Sequence, residues 1–251
     1  MSTTQSALAD SVNHLRDLAE PLDSAQLRSR AYPSEWTIAD VLSHLGSGAV
    51  IMRRRLDDAL AGRESDDGFA PSVWDVWNAK SPEAKAADAL EADRALMERI
   101  ESVSDDERGR LQVSMGPMTF DFDDFIGMRL SEHTLHTWDV EVALDSQATL
   151  ADDATALVVD RVEMIARYTG KPSGTVHDVT VRTSNPTRDF TIALGADSVS
   201  FTPGASSGTP DLELPAEALI RLVYGRLDPD HSPAVADAAL LDELRGVFPG
   251  V

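Results

Sequence analysis

The sequence predicts an α+β protein in which an N-terminal four-helix bundle is followed by a small α+β C-terminal domain. Apolar residues recur at intervals of three and four through roughly the first 150 residues, the period of a helix that buries one face. Beyond Gly170-Lys171-Pro172 the period falls to two, the mark of strands with one buried face. At 251 residues with 42% hydrophobic content, the chain has apolar material for two cores of unequal size, since domains usually run to roughly 100–150 residues.

The helices are delimited by their breakers. Pro21, Tyr32-Pro33-Ser34, the stretch from Gly62 to Ser72 and Met115-Gly116-Pro117 interrupt the helical period, leaving long helices near 4–20, 37–61, 81–103 and 120–146. Trp74 and Trp77 lie beside the second connection, and their spacing of three reads as packing rather than as a binding platform. A fifth helix, about 151–169, stops at Gly170-Lys171-Pro172. Val176 to Thr183, Asp189 to Leu194 and Val199 to Thr202 alternate and are rich in Val, Thr, Phe and Ile, so they read as strands. Gly204 to Gly208 reads as a loop and Asp211 to Leu214 as a last short strand. A helix follows with Pro215 near its first turn and Gly225 after its last, then a final helix near 234–245. The expected domains are 1–150 and 151–251, with the boundary somewhere between 147 and 172.

Composition narrows the partners. Forty-three Asp and Glu against 22 Lys and Arg give a formal charge of −21, which repels nucleic-acid phosphates and anionic lipids, so neither nucleic acid nor a membrane is an expected partner. The absence of cysteine excludes disulfides, thiolate metal sites and a cysteine nucleophile, so any sulfur chemistry needs an external thiol. Met1 to Glu20 has no basic region followed by an apolar core, and no later stretch approaches membrane-spanning length. A cytoplasmic protein, monomer or homodimer, is expected.

The chemistry sits on two of the helices. Phe125, Met128, Glu132, Leu135, His136, Asp139, Val140 and Ala143 share one face, related by spacings of three and four, so the fourth helix carries a stripe interrupted by ionisable groups. Glu132 and His136 point the same way, and Asp139 follows one turn further on. An ionised carboxylate facing into a bundle costs several kcal/mol unless it is paired or coordinated, so Glu132 needs a partner. On the second helix, Thr37 and Asp40 form a variant capping box, and His44 lies about 60° from Val41, at the edge of the apolar stripe. Two His and one Glu with an open fourth position suit catalytic zinc. Taken alone, His44 reads more readily as a core histidine bonded to a carbonyl than as a ligand, and Glu132 with His136 is equally readable as an intrahelical polar pair. His133 competes as a ligand one position away from Glu132, whereas His14, His177 and His231 show no acidic or His partner at ligand spacing.

Two segments carry a family resemblance. Trp36-Thr37-Ile38-Ala39-Asp40-Val41-Leu42-Ser43-His44-Leu45-Gly46 and Arg129-Leu130-Ser131-Glu132-His133-Thr134-Leu135-His136-Thr137-Trp138-Asp139 resemble the mycothiol-dependent maleylpyruvate isomerase family, within the DinB-like bundles. Leu214 to Leu227, ending Tyr224-Gly225-Arg226-Leu227, is similar to that family's small C-terminal domain, so the resemblance spans nearly the whole chain. It implies metal ligands at His44, Glu132 and His136, and a catalytic Arg at Arg226. The Arg226 assignment rests on the Gly225-Arg226-Leu227 match, beside which stands the reading of a helix-ending Arg near carbonyls and the helix dipole. The implied cofactors are zinc, or another divalent metal, and mycothiol, the low-molecular-weight thiol of actinobacteria. That suits a chain with no thiol of its own.

A free thiol, with a pKa of about 8.5, is mostly protonated at neutral pH, and a divalent metal deprotonates it. The resemblance therefore implies an isomerase, in which a thiolate adds to a conjugated cis double bond and leaves after rotation, or an S-transferase, in which it stays attached. The substrate it implies is a small electrophile such as maleylpyruvate. Arg226 would hold a substrate carboxylate and Asp139 would orient His136. Two other classes share these residues: a metal-dependent hydrolase using water in place of thiol, and a non-catalytic sensor of a small molecule or metal.

Overall fold

A computed structural model describes residues 2–66, 68–116, 118–204 and 208–250. Within these the chain is α+β, helical first and with its larger sheet in the C-terminal part. It divides into two compact units, Met1–Ala148 and Thr149–Val251. Pro117 and residues 205–207, parts of two expected loops, lie outside the described residues.

The first unit runs α1 (Thr3–Ala19), α2 (Ser24–Leu27), α3 (Ile38–Leu60), α4 (Phe69–Asn78), α5 (Pro82–Glu101), α6 (Asp105–Arg108), β1 (Val113–Met115), β2 (Met118–Phe120) and α7 (Phe122–Glu141). The bundle is made by α1, α3, α5 and α7, with α3 packed on α5 and α1 on α7. Its helix starts follow local chemistry. The Thr37 hydroxyl accepts from the Asp40 amide while the Asp40 carboxylate accepts from the Thr37 amide, and Lys85 pairs with Asp40 at 2.7 Å, fastening the head of α3 to α5. Ser81 caps α5 ahead of Pro82, and Asp121 caps α7.

Several details depart from the periodicity. Helix α4 begins inside the stretch from Gly62 to Ser72, because Pro71 sits in its first turn, where a missing amide proton costs nothing. Its Trp77 is buried against Gly46, where an added Cβ would lie 2.3 Å from Trp77 Cη2 and 2.7 Å from Ala89 Cα. Only glycine lets α3, α4 and α5 approach so closely. The β1–β2 hairpin turns at Gly116, which has φ 59°, and strands of three residues are too short to show a period. Helix α7 ends at Glu141 rather than near 146, and the Trp138 indole N–H donates to the Ala148 carbonyl at 2.9 Å as the chain turns back. Its burial is not confined to one face: Arg129, Ser131, His133, Thr134 and Thr137 are buried along with Phe125, Ile126, Leu130 and Trp138. Helix α7 packs on α1 and α3 and is buried on more than one face.

Those buried polar groups form a network that ties all four helices of the bundle. Arg129 pairs with Asp93 of α5 and donates to the Leu45 carbonyl of α3 at 2.9 Å. His133 Nε2–H donates to the other Asp93 oxygen at 3.3 Å, and the Ser11 hydroxyl of α1 donates to His133 Nδ1 at 2.8 Å. Burial pushes the Asp93 carboxyl up, but the Arg129 charge and the bonds from His133 and Arg129 outweigh it and hold the group below its ordinary value. Burial dominates at His133 and pushes it down, so the ring is neutral, with its proton on the nitrogen facing Asp93.

The second unit runs α8 (Asp152–Val158), a 3₁₀ turn (Val159–Arg161), α9 (Val162–Thr169), β3 (His177–Ser184), β4 (Asp189–Leu194), β5 (Val199–Pro203), β6 (Leu212–Pro215), α10 (Ala216–Val223), a second 3₁₀ turn (Pro229–His231) and α11 (Ala238–Val247). The expected single helix over 151–169 is thus broken at the first 3₁₀ turn. The sheet order is β5-β4-β3-β6, antiparallel except for the parallel β3–β6 pair. One face, with Val179, Val181, Phe190, Ile192, Phe201 and Leu214, is buried, and α9 and α10 pack on the sheet. Gly225 ends α10 as expected, at φ 70°, with Gly250 so close that a Cβ would lie 2.3 Å from its Cα.

The network predicts a specific acid sensitivity. Replacing Asp93 with Asn leaves the buried Arg129 charge uncompensated and should cost about 3–5 kcal/mol in urea unfolding at neutral pH. Because the folded-state pKa of Asp93 is lowered, its contribution is fully present above the unfolded carboxylate value of about 3.9 and is lost as pH falls through the folded value. The gap between wild type and variant should therefore shrink below about pH 4. A gap that is small at pH 7, or unchanged down to strongly acidic pH, would contradict this.

Candidate metal centre

Helices α3 and α7 bring His44, Glu132 and His136 together. Glu132 Oε2 lies 3.4 Å from His44 Nε2 and 3.6 Å from His136 Nε2, and the two imidazole centroids are 4.5 Å apart. The three donor atoms all lie within 4.8 Å of one another, the one such group of His, Cys, Asp and Glu found among the described residues. Ligands at 2.0–2.1 Å from a tetrahedral zinc sit about 3.3 Å from each other, so the two shorter separations match such an ion with little movement. The residues present therefore fit a divalent metal in both donor chemistry and spacing.

The surroundings decide which atoms act. Asp139, one turn beyond His136, accepts from His136 Nδ1–H at 2.8 Å. That bond orients the ring so that Nε2 is the nitrogen facing the Glu132 oxygen. A proton on Nε2 would pair that nitrogen with the carboxylate, and a divalent cation in its place would take the lone pairs of both. Burial pushes the Glu132 carboxyl up, yet hydrogen bonds and charge from His136 and His44 outweigh it and hold the group well below the usual carboxylate range. Glu132 is therefore anionic at neutral pH. The His44 and Glu132 side chains are 41% and 45% exposed, against 11% for His136, so the cluster opens to solvent on one side. A closed structural site would be shielded.

The competing ligand His133 lies elsewhere. One residue along the helix turns it about 100° away from Glu132, into the Ser11–Asp93 network, where both ring nitrogens are engaged. Arg226 belongs to the second unit, where it is buried after the end of α10 and donates from Nη1 to the Tyr224 carbonyl at 2.9 Å. Each of the remaining histidines meets a carboxylate, and only His231 departs from the expectation of no acidic partner at ligand spacing. His14 meets Glu141 at 2.9 Å, His177 meets Glu243 at 3.6 Å and His231 meets Asp228 at 2.9 Å. The first two partners are remote in sequence, while Asp228, three residues before His231, was visible at helical spacing. Trp36 is the contact that sequence did not reveal: its ring lies 5.4 Å from that of His44 and 6.1 Å from that of His136. Standing ahead of a helix cap, it gave no signal beyond its place in the motif.

Comparison with known proteins bears on this arrangement. Residues 8–141 match the family model described as the mycothiol maleylpyruvate isomerase N-terminal domain. The chain is similar in fold to the crystal structure of the mycothiol-dependent maleylpyruvate isomerase, and equally to that of a variant with one histidine replaced by alanine. In each case the TM-score is 0.66 at 12% identity, covering 94% of this chain and 93% of that one. No curated protein matches the sequence significantly. No helix among the described residues is long and apolar enough to cross a membrane. Since the family model spans more than half of the sequence and includes every residue of the His44, Glu132 and His136 cluster, the chain belongs to the mycothiol maleylpyruvate isomerase family.

Proposed function

We propose that the protein is a metal-dependent enzyme that employs mycothiol, as an isomerase or S-transferase, on a small electrophilic substrate such as maleylpyruvate. The observation that carries the reading is the convergence of three donor atoms within 4.8 Å of one another: an ionised Glu132, His136 with its Nδ1 bonded to Asp139, and the solvent-facing His44. Zinc, or another divalent ion, held by these residues would supply Lewis acidity that lowers a thiol pKa from about 8.5 and so yields thiolate at neutral pH.

The chain's own residues account for the rest. Asp139 keeps the His136 ring oriented, and the exposed edge between His44 and Glu132 admits a thiol and its substrate. The chain has no cysteine, so the thiol comes from outside. Arg226 is the proposed anchor for a substrate carboxylate through a bidentate pair, on the strength of the family's Gly-Arg-Leu match. Isomerisation returns the thiol unchanged and transfer consumes it, so product analysis separates the two. The proposed setting is the actinobacterial cytoplasm, where mycothiol is at hand.

Protein purified without chelators should contain about one divalent metal per chain by elemental analysis. His44→Ala and His136→Ala should each lose most of it, and Asp139→Asn should weaken binding about 10–100-fold while leaving the donors in place. His133→Ala should keep the metal and show its effect in stability. A His133→Ala protein that is empty beside a loaded His136→Ala protein would mean that the ligand set is wrong.

Turnover should require added mycothiol, and mycothiol binding to the metal-loaded protein should release a proton, counted by calorimetry in buffers of different ionisation enthalpy. Equal turnover with water alone would indicate hydrolysis instead. Ligand binding without product under any of these conditions would indicate a sensor.

A further inference from the structure

The segment between α2 and α3 sets one large aromatic ring against the metal centre. Trp36 is nearly parallel to His136, with an interplanar angle of 15° at 6.1 Å between centroids, and is tilted by 49° to His44 at 5.4 Å. The other side of its anchorage is firm. Trp36 packs against the hydrophobic core of the bundle, and the loop is clasped by Ala31 N–H donating to the Trp36 carbonyl at 3.0 Å and Trp36 N–H donating to the Pro33 carbonyl at 2.8 Å. Tyr32 N–H also donates to the Asp139 carbonyl at 3.2 Å. One residue, Asp139, thus holds the aromatic loop through its main chain and His136 through its carboxylate.

An indole face carries negative potential and attracts positive charge that lies within about 6 Å of its centre. Neutral imidazoles offer it little. Imidazoles that share the charge of a divalent cation become electron-poor, and the same contacts then strengthen. We infer that Trp36 is a positioning residue that raises the affinity of His44 and His136 for a divalent cation, through the electrostatics of its ring as well as its bulk. This rests on the reading that these two histidines and Glu132 hold a metal. A space-filling wall would treat the empty and the loaded site alike, and that difference makes the two roles separable.

The test is zinc affinity, measured by competition with a chromophoric chelator, for wild type, Trp36→Phe and Trp36→Leu. Trp36→Leu should bind on the order of tenfold more weakly, and Trp36→Phe should recover most of that loss, because phenylalanine keeps an aromatic face and leucine does not. Should Trp36→Leu fail to fold, biosynthetic incorporation of fluorinated tryptophans provides the same comparison at constant shape. Affinity should then fall with each added fluorine, as the ring's negative face weakens. Wild-type affinity in Trp36→Leu, equal losses in Leu and Phe, or no dependence on fluorination would overturn the inference while leaving the metal site intact. A wild-type protein that takes up no zinc would overturn the site, and this inference with it.

Discussion

The buried pairing of Asp93 with Arg129 and His133 is the constraint on which the rest of the first unit depends. A carboxylate and a guanidinium are costly to take out of water and repay that cost only in a well-bonded geometry. Here the geometry draws on α1, α3, α5 and α7 at once, through Ser11, the Leu45 carbonyl, Asp93 and Arg129 with His133. A rotation of α7 by one residue would leave Arg129 without its carboxylate. Apolar packing, which is non-directional, could not select that rotation so sharply.

The placement of the candidate site follows from the same rotation. With Arg129 and His133 committed to the interior, Glu132 and His136, each three residues further along the helix, are carried to the side where His44 stands on α3. Two helical stripes with related chemistry, Arg-x-x-x-His and Glu-x-x-x-His, interleave on α7, one turned into the Asp93 network and the other to His44, the candidate metal centre. Asp139 then links the second stripe to the Tyr32–Trp36 loop, so that the orientation of His136 and the position of the aromatic ring beside it share one support. The cluster is backed by bonded side chains on the Asp139 side and opens to solvent at His44 and Glu132.

Much of this was legible in the sequence, and for identifiable reasons. The bundle and the change of period near Gly170 follow from local patterning, and the Thr37–Asp40 cap fixes the start of α3 to the residue. Glu132, His136 and Asp139 could be seen to share a face because helical spacing is local. What could not be seen was long-range or very short. The partners of His14 and His177 lie more than 60 residues away in sequence, the hairpin strands have three residues each, and Pro71 masked the start of α4. The inward turn of His133 depends on Asp93, 40 residues upstream, whose role no spacing rule announces. Trp36 likewise became a site residue only when the fold placed its ring beside both imidazoles.

X-ray absorption at the zinc K-edge, recorded on the loaded protein before and after addition of mycothiol, tests the central claim most directly. Two imidazole nitrogens and one carboxylate oxygen at about 2.0–2.1 Å are expected throughout, joined on addition of the thiol by one sulfur at about 2.3 Å. A shell that gains no sulfur, or that lacks two histidines before the thiol arrives, would contradict it.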